Sequence, residues 1–77
     1  MSAEQRGADV RPIFRRGDRV IVKLSSDFYV LVVQASELDG GELWLYARMG
    51  GSAMPIPATR VVRRLAPGEA FTWSMVR

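Results

Sequence analysis

The sequence contains neither cysteine nor histidine. Without cysteine the chain has no disulfide, no thiolate nucleophile and no cysteine metal site, and without histidine it lacks the usual general base and the commonest metal ligand. Its acids offer no convincing catalytic pair, because Glu37, Asp39 and Glu42 surround a predicted turn, where acids are normally solvated. We therefore expect a protein that is not an enzyme, with no cofactor, no metal and no small-molecule substrate.

Long apolar runs are also missing. No run approaches the roughly 18 residues of a membrane span, and residues Met1 to Gly7 contain no hydrophobic signal core. With the absence of cysteine, these features predict a cytoplasmic protein that does not associate with membranes. The length of 77 residues fits one small domain.

Negative charge is scarcer than positive charge. Eleven lysine and arginine residues against eight acidic residues give a net charge of +3, and only one of the cations, Lys23, is a lysine. A guanidinium is a planar fork that matches phosphates and carboxylates, so this composition favours nucleic acid or an acidic protein as the partner. A genome rich in G and C would produce the same arginine excess without functional meaning.

The chain is organised around a predicted β-hairpin from Phe28 to Met49. Its first strand is Phe28–Ala35, and residues 36–38 connect this strand to a turn at Asp39-Gly40-Gly41. The glycines supply the positive φ that a tight turn needs, and Glu42–Met49 forms the second strand of the hairpin. Both faces of the hairpin are apolar, so the second face needs a cover. That cover is a curled sheet, the chain's own tail, a second copy or a partner.

Shorter runs flank the hairpin. We predict strands over 19–24, 53–57 and 61–65, a helical turn over 58–60, and tight turns over 15–18 and 50–52. Two prolines, Pro55 and Pro57, restrict the strand that contains them to the edge of a sheet. Beyond residue 69, Phe71, Trp73 and Met75 alternate as in a sixth strand or an arm, which docks on its own domain or on a second copy as a homo-oligomer.

These elements predict an all-β fold. The expected architecture is a small antiparallel barrel of five or six strands, with one short helical turn before the last barrel strand. The expected organisation is a flexible leader over residues 1–12, the barrel over residues 13–66, and a C-terminal arm or extra strand over residues 67–77.

Residues 17–65 resemble the SH3-like barrels, and Tudor domains in particular. The resemblance rests on Gly17-Asp18-Arg19-Val20, Asp27-Phe28-Tyr29, the long hairpin, Gly50-Gly51, and Arg60 to Leu65. It implies an SH3-like barrel with an aromatic cage for methylated arginine or lysine, in which Tyr29 and Tyr46 match cage positions. Arg48 and Met49 stand where the family has an acid and a second aromatic, so we predict that methyl marks are not read.

Arginines form the first candidate site. In an SH3-like barrel the first and last strands are neighbours, which would gather six guanidinium groups into one surface for nucleic acid. The six residues are Arg15, Arg16, Arg19, Arg60, Arg63 and Arg64. The alternative is a solvated face that keeps a small barrel soluble, with Asp18 and Glu69 as ionic partners.

Aromatic residues form the second candidate site, for partner binding. Tyr29, Trp44 and Tyr46 in the hairpin are suited to stacking on bases, to anchoring a protein or to packing in the core, and Trp73 lies in the arm.

The leading hypothesis is a non-enzymatic binding module that attaches to nucleic acid, or to a nucleic-acid-associated complex, through the arginines. The alternative is a protein–protein interaction or assembly subunit that uses the aromatic hairpin and the arm. A spatial cluster of arginines favours the first hypothesis, and dispersal among acids favours the second.

Overall fold

The computed structural model of the protein describes residues 14–77, so the leader predicted over residues 1–12 lies outside the described residues. The described part of the chain is all-β, as predicted, with five strands and two short 3-10 turns. The strands are β1 (Arg19–Leu24), β2 (Asp27–Asp39), β3 (Glu42–Arg48), β4 (Met54–Pro57) and β5 (Val61–Leu65). The 3-10 turns are Ala58–Arg60, at the predicted helical turn, and Trp73–Met75.

The five strands form one antiparallel sheet in the order β4-β3-β2-β1-β5. The first and last strands along the chain, β1 and β5, are therefore neighbours in the sheet, as the resemblance to SH3-like barrels implies. Strand β4, which carries Pro55 and Pro57, lies at an edge, where proline costs no ladder hydrogen bond. The edge strands β4 and β5 are not paired with each other, so the sheet is open.

The hairpin between β2 and β3 turns at two glycines. Gly40 and Gly41 have φ angles of +61° and +86°, the left-handed conformation that a two-residue hairpin turn requires. Strand β2 runs through Ser36–Asp39, which the sequence analysis places in the connection instead. A register shift between Val33 and Ala35 marks a β-bulge, which bends the strand and increases its twist.

The main core lies on one face of the sheet, here called the inner face. Val20 and Val22 from β1 point to it, together with alternate residues of β2 and β3. Its buried members are Phe14, Val20, Val22, Leu31, Val33, Leu45, Ala47 and Ile56. Each large aliphatic side chain buried there contributes roughly 1.5–3 kcal/mol, so this face supplies most of the driving force for folding.

The part of the opposite, outer face around Ile21 is covered by the chain's own C-terminal arm, residues 66–77. Ile21 is fully buried although it alternates with Val20 and Val22, and its cross-strand neighbours are Val30 and Arg63. The arm reaches both sides of this position. The Trp73 ring meets the Phe28 ring edge-on at 6.4 Å, and Arg63 Nη1 lies 3.2 Å from Met75 Sδ. Of the four covers that the sequence leaves open, the tail is the one observed around Ile21, whereas Trp44 and Tyr46 farther along the same face line a groove.

Of the two alternatives predicted for the C-terminal residues, a sixth strand or an arm, the described residues form no sixth strand. The arm contains a 3-10 turn at Trp73–Met75 and no strand. Its side chains contact residues on the outer face, and the middle of a sheet face offers no free backbone groups for a ladder. The alternating large side chains of Phe71, Trp73 and Met75 thus belong to a segment that packs on a sheet without pairing as a strand.

Candidate functional site

The turn before β1 is fixed by Asp18. Its Oδ2 accepts hydrogen bonds from the backbone N–H of Arg15 at 2.9 Å and from Arg64 Nη1 at 3.1 Å. The bond from the Arg15 backbone, followed by the bond and charge of Arg64, lowers the pKa of Asp18 below its usual 3.8. The Arg64 guanidinium also lies 5.4 Å from the centre of the Phe14 ring. Arg64 therefore ties the turn to β5.

Two further arginines hold the C-terminal arm. Arg63 Nη2 forms an ion pair with Glu69 Oε2 at 3.1 Å, and Arg19 Nη2 donates to the Ala66 carbonyl at 3.0 Å. Glu69 Oε1 accepts the Ala66 backbone N–H at 2.8 Å. The hydrogen bond from the Ala66 backbone, followed by the bond from Arg63, lowers the pKa of Glu69 below its usual 4.5. These arginines therefore have structural partners within the chain.

The six predicted arginines do not form one surface. Arg63 lies opposite Ile21 and Arg64 opposite Val20, so these neighbours point to opposite faces of the sheet. The others are distributed over the turn before β1, β1 itself and the 3-10 turn before β5. They are Arg15, Arg16, Arg19 and Arg60. Pairing of β1 with β5 thus brings the segments together, as expected, but disperses the guanidinium groups.

The outer face carries two cations that the sequence analysis leaves out of the candidate site. Arg48 and Arg19 both lie opposite Val32, on its two neighbouring strands. Lys23 lies two residues beyond Ile21 on the same face, with Nζ 5.7 Å from the centre of the Phe28 ring. Strand alternation combined with the pairing register is the signal that would have identified both residues.

The predicted aromatic site is also divided. Tyr29 lies opposite Val22 and packs against the inner core, whereas Trp44 and Tyr46 point to the outer face, beyond the bulge in β2. Trp73 is 57 % exposed in the arm. Tyr29 and Tyr46 lie on opposite faces of the sheet, so they do not form the cage that the resemblance to Tudor domains implies.

One groove combines aromatic rings with carboxylates. The hairpin groove is lined by Glu37, Asp39, Trp44, Tyr46 and Pro55, and its volume is about 260 Å³. Pockets for small molecules usually have volumes of about 300–1,000 Å³, so the hairpin groove is closer in size to a site for a single side chain. Trp44 and Tyr46 are both half-buried there, which leaves part of each ring accessible.

A hydrogen bond fixes one wall of the groove. The Tyr46 hydroxyl donates to Glu37 Oε1 at 3.2 Å. This bond and the negative charge of Glu37 raise the pKa of Tyr46 above its usual 10.0, and the charge of Asp39 adds to the effect. Among residues 14–77, neither Glu37 nor Asp39 has an ion pair with an arginine or lysine. The groove is therefore a local acidic site on a chain that is positive overall.

Sequence reasoning did not include Glu37 and Asp39 in a site because it placed them around a turn. The structure extends β2 to Asp39 and pairs Glu37 with Trp44. Plain alternation from Val33 would place both acids on the inner face. The bulge between Val33 and Ala35 moves them to the face of Trp44 and Tyr46, and no local pattern in the sequence indicates that bulge.

Comparison of the chain with known protein families, with curated proteins and with solved structures found no match. Within residues 14–77, no group of three or more acidic residues, histidines or cysteines is arranged to hold a metal ion. The same part of the chain forms no helix that is long and apolar enough to cross a membrane. What can be said of function therefore depends on the surfaces themselves.

Proposed function

We propose that the protein is a non-enzymatic protein-interaction module, which binds a positively charged segment of a partner protein in the hairpin groove. One observation carries this proposal: two accessible aromatic rings and two carboxylates line the same groove. Tryptophan and tyrosine are the residues that most often anchor protein interfaces. Glu37 and Asp39 add a negative charge that selects a cationic segment.

We further propose an SH3-like barrel as the architecture of this module. The order β4-β3-β2-β1-β5 supports it, as do the 3-10 turn between β4 and β5 and the long, bulged second strand. In such a barrel the bent β2 contributes to both halves of the sheet, which places the hairpin groove on the outside of the half that β3 and β4 complete.

The distribution of the arginines supports a protein partner over nucleic acid. Arg63 and Arg19 hold the arm, and Arg64 is held by Asp18. Dispersal among acids is the arrangement that the sequence analysis associates with the protein-binding alternative. A nucleic-acid site would have to draw these side chains away from their present partners.

A peptide titration tests the proposal. The probes are three fluorescein-labelled Gly/Ser decapeptides that carry two arginines and two lysines, four glutamates, or no charge. We expect the cationic peptide alone to bind, and Trp44→Ala to weaken its binding about tenfold, as loss of an interface anchor does. Trp73→Ala is the matched control, because it removes the other tryptophan from an exposed position on the arm, and it should bind like the wild type.

Two results of the peptide titration would contradict the proposal. One is the absence of binding to the cationic peptide while circular dichroism shows a folded chain. The other is equal loss of binding in the Trp44→Ala and Trp73→Ala variants, which would place the contact outside the hairpin groove.

A specific observation supports nucleic-acid attachment as a second candidate function. Arg19, Arg48 and Lys23 lie on the outer face with Arg63, which gives four cations on one surface. Arg63 and Arg19 are engaged with the arm, so Arg48 and Lys23 are the cations left for phosphates. If each of these two neutralises one phosphate of duplex DNA, affinity should fall with salt at a log–log slope near −1.8, about −0.9 per phosphate. Arg48→Ala should then reduce the slope by about one. Binding that is absent at low salt, or a slope unchanged in Arg48→Ala, would remove this candidate.

A further inference from the structure

We infer that the hairpin groove selects arginine over lysine, with the guanidinium stacked on Trp44 and hydrogen-bonded to Glu37 and Asp39. This inference rests on the proposed function and specifies the side chain that the groove recognises. Three features of the groove carry it: the position of its acceptors, the fixed ring of Tyr46, and the planar surface of Trp44.

The two acids of the groove follow each other along one face of β2. Glu37 and Asp39 are two residues apart, so their backbones are about 7 Å apart and both side chains line the groove. Glu37 Oε1 already accepts the Tyr46 hydroxyl, so Glu37 Oε2 and the Asp39 carboxylate are the acceptors that face a ligand. A guanidinium carries five N–H donors in one plane and reaches separated acceptors together, whereas an ammonium concentrates three donors at one strongly hydrated point.

The aromatic walls favour the same group. Tryptophan is the best aromatic partner for a cation, and arginine stacks on it more often than lysine does. Tyr46 cannot swing freely, because its hydroxyl is bonded to Glu37, and a preformed wall reduces the ordering cost of binding. Pro55 lies opposite Tyr46 on β4 and adds an apolar surface for the methylene stem of a long cationic side chain.

The groove is distinct from the cage that the resemblance to Tudor domains implies. That cage requires Tyr29, which packs against the inner core on the opposite face of the sheet. The inference therefore depends on Glu37, Asp39 and Trp44, none of which belongs to the implied cage.

The test uses the full chain with Trp73→Phe, which leaves Trp44 as the single tryptophan and its fluorescence as the signal. The probes are three Gly/Ser peptides that differ in one central residue: arginine, lysine or citrulline. We expect the arginine peptide to bind about tenfold more tightly than the lysine peptide, since paired charge-assisted hydrogen bonds are the stronger kind. Citrulline keeps the planar shape without the charge, and we expect no saturable change in fluorescence.

A pair of acid variants locates the selectivity. Glu37→Gln keeps an oxygen for the Tyr46 hydroxyl but removes the charge, and it should reduce the arginine-to-lysine ratio to about threefold or less. Glu42→Gln is the matched control, because Glu42 is an acid of the same hairpin that does not line the groove. It should leave the ratio unchanged.

The outcomes separate this inference from the proposed function. Equal affinity for the arginine and lysine peptides overturns the selectivity. It leaves the interaction module in place if fluorescein-labelled copies of both peptides, followed by anisotropy, lose binding in Trp44→Ala. An equal reduction of the ratio in Glu37→Gln and Glu42→Gln also overturns it, because overall charge would then explain the preference. Failure of every cationic peptide to bind overturns both.

Discussion

Asp18 and Glu69 play the same part on opposite faces of the β1–β5 pair. Each carboxylate accepts a backbone N–H within its own turn, from Arg15 or from Ala66. Each also pairs with one of the adjacent arginines of β5, Arg64 or Arg63. Neighbouring strand residues point to opposite faces. Arg64 therefore holds the turn before β1 on one face, and Arg63 holds the arm on the other.

These carboxylates predict a loss of stability in acid. The folded state lowers the pKa of Asp18 and of Glu69 below their usual values of 3.8 and 4.5, so the fold favours their charged forms. Their contribution is complete above those values and disappears as the pH falls through the lower, folded-state pKa. We expect the free energy of unfolding, measured by urea denaturation, to decrease from about pH 4.5 downward.

A single substitution tests the assignment to Asp18. Asp18→Asn keeps an oxygen for the Arg15 backbone N–H but removes the charge that pairs with Arg64, so it should lower the free energy of unfolding at pH 7 by about 0.5 kcal/mol, within the usual range for a partly exposed ion pair. It should also flatten the decline in acid, because one of the two titrating groups is gone. A decline as steep as that of the wild type would show that other carboxylates cause it. Asp27→Asn is the control, because Asp27 is an exposed acid at the start of β2.

At the scale of the element, the arm belongs to the folded structure. It covers a face that contains Ile21, which is fully buried, and Leu65, which is 4 % exposed. It also brings Phe71 against Trp73, with ring centres 5.1 Å apart. A chain this small has limited core to spare, so the second apolar face matters for its stability.

Removal of residues 67–77 should therefore destabilise the protein. We expect the free energy of unfolding to fall by about 2 kcal/mol or more, the value of one large buried apolar side chain. The truncated chain should also bind a dye that reports exposed apolar surface. Ser74→Ala, a substitution at an exposed position of the arm, should neither lower the free energy of unfolding nor increase dye binding. Unchanged stability after truncation would mean that Ile21 is buried without the arm.

The elements differ in how well the sequence predicts them. Strands β1 and β5 occur at the predicted residues because β-branched runs fit a pleated, half-buried surface. For the C-terminal residues the sequence leaves a strand and an arm as alternatives, because alternation of large side chains is the same for a strand and for a segment that docks on a sheet. The hairpin groove needed the pairing of Glu37 with Trp44, which the register decides and which local pattern cannot supply.

For the whole molecule, the docked arm bears on the state of association. The sequence leaves a second copy as one cover for the apolar outer face, and the arm covers the part of that face around Ile21 within one chain. We expect sedimentation equilibrium to give the mass of a single chain from micromolar to millimolar concentration. A mass that rises with concentration would contradict this expectation. If the Trp73→Ala variant showed the same rise, the contact between copies would lie away from the arm.

The two prolines of β4 have a consequence for the chemistry of any partner. Pro55 and Pro57 lie on the edge strand beside the hairpin groove, and neither has an N–H to offer across that edge. An incoming chain therefore cannot extend the sheet there by a regular backbone ladder. A peptide in the hairpin groove must therefore be recognised through its side chains. We expect N-methylation of the peptide backbone to leave its affinity unchanged, and replacement of one cationic side chain to reduce that affinity.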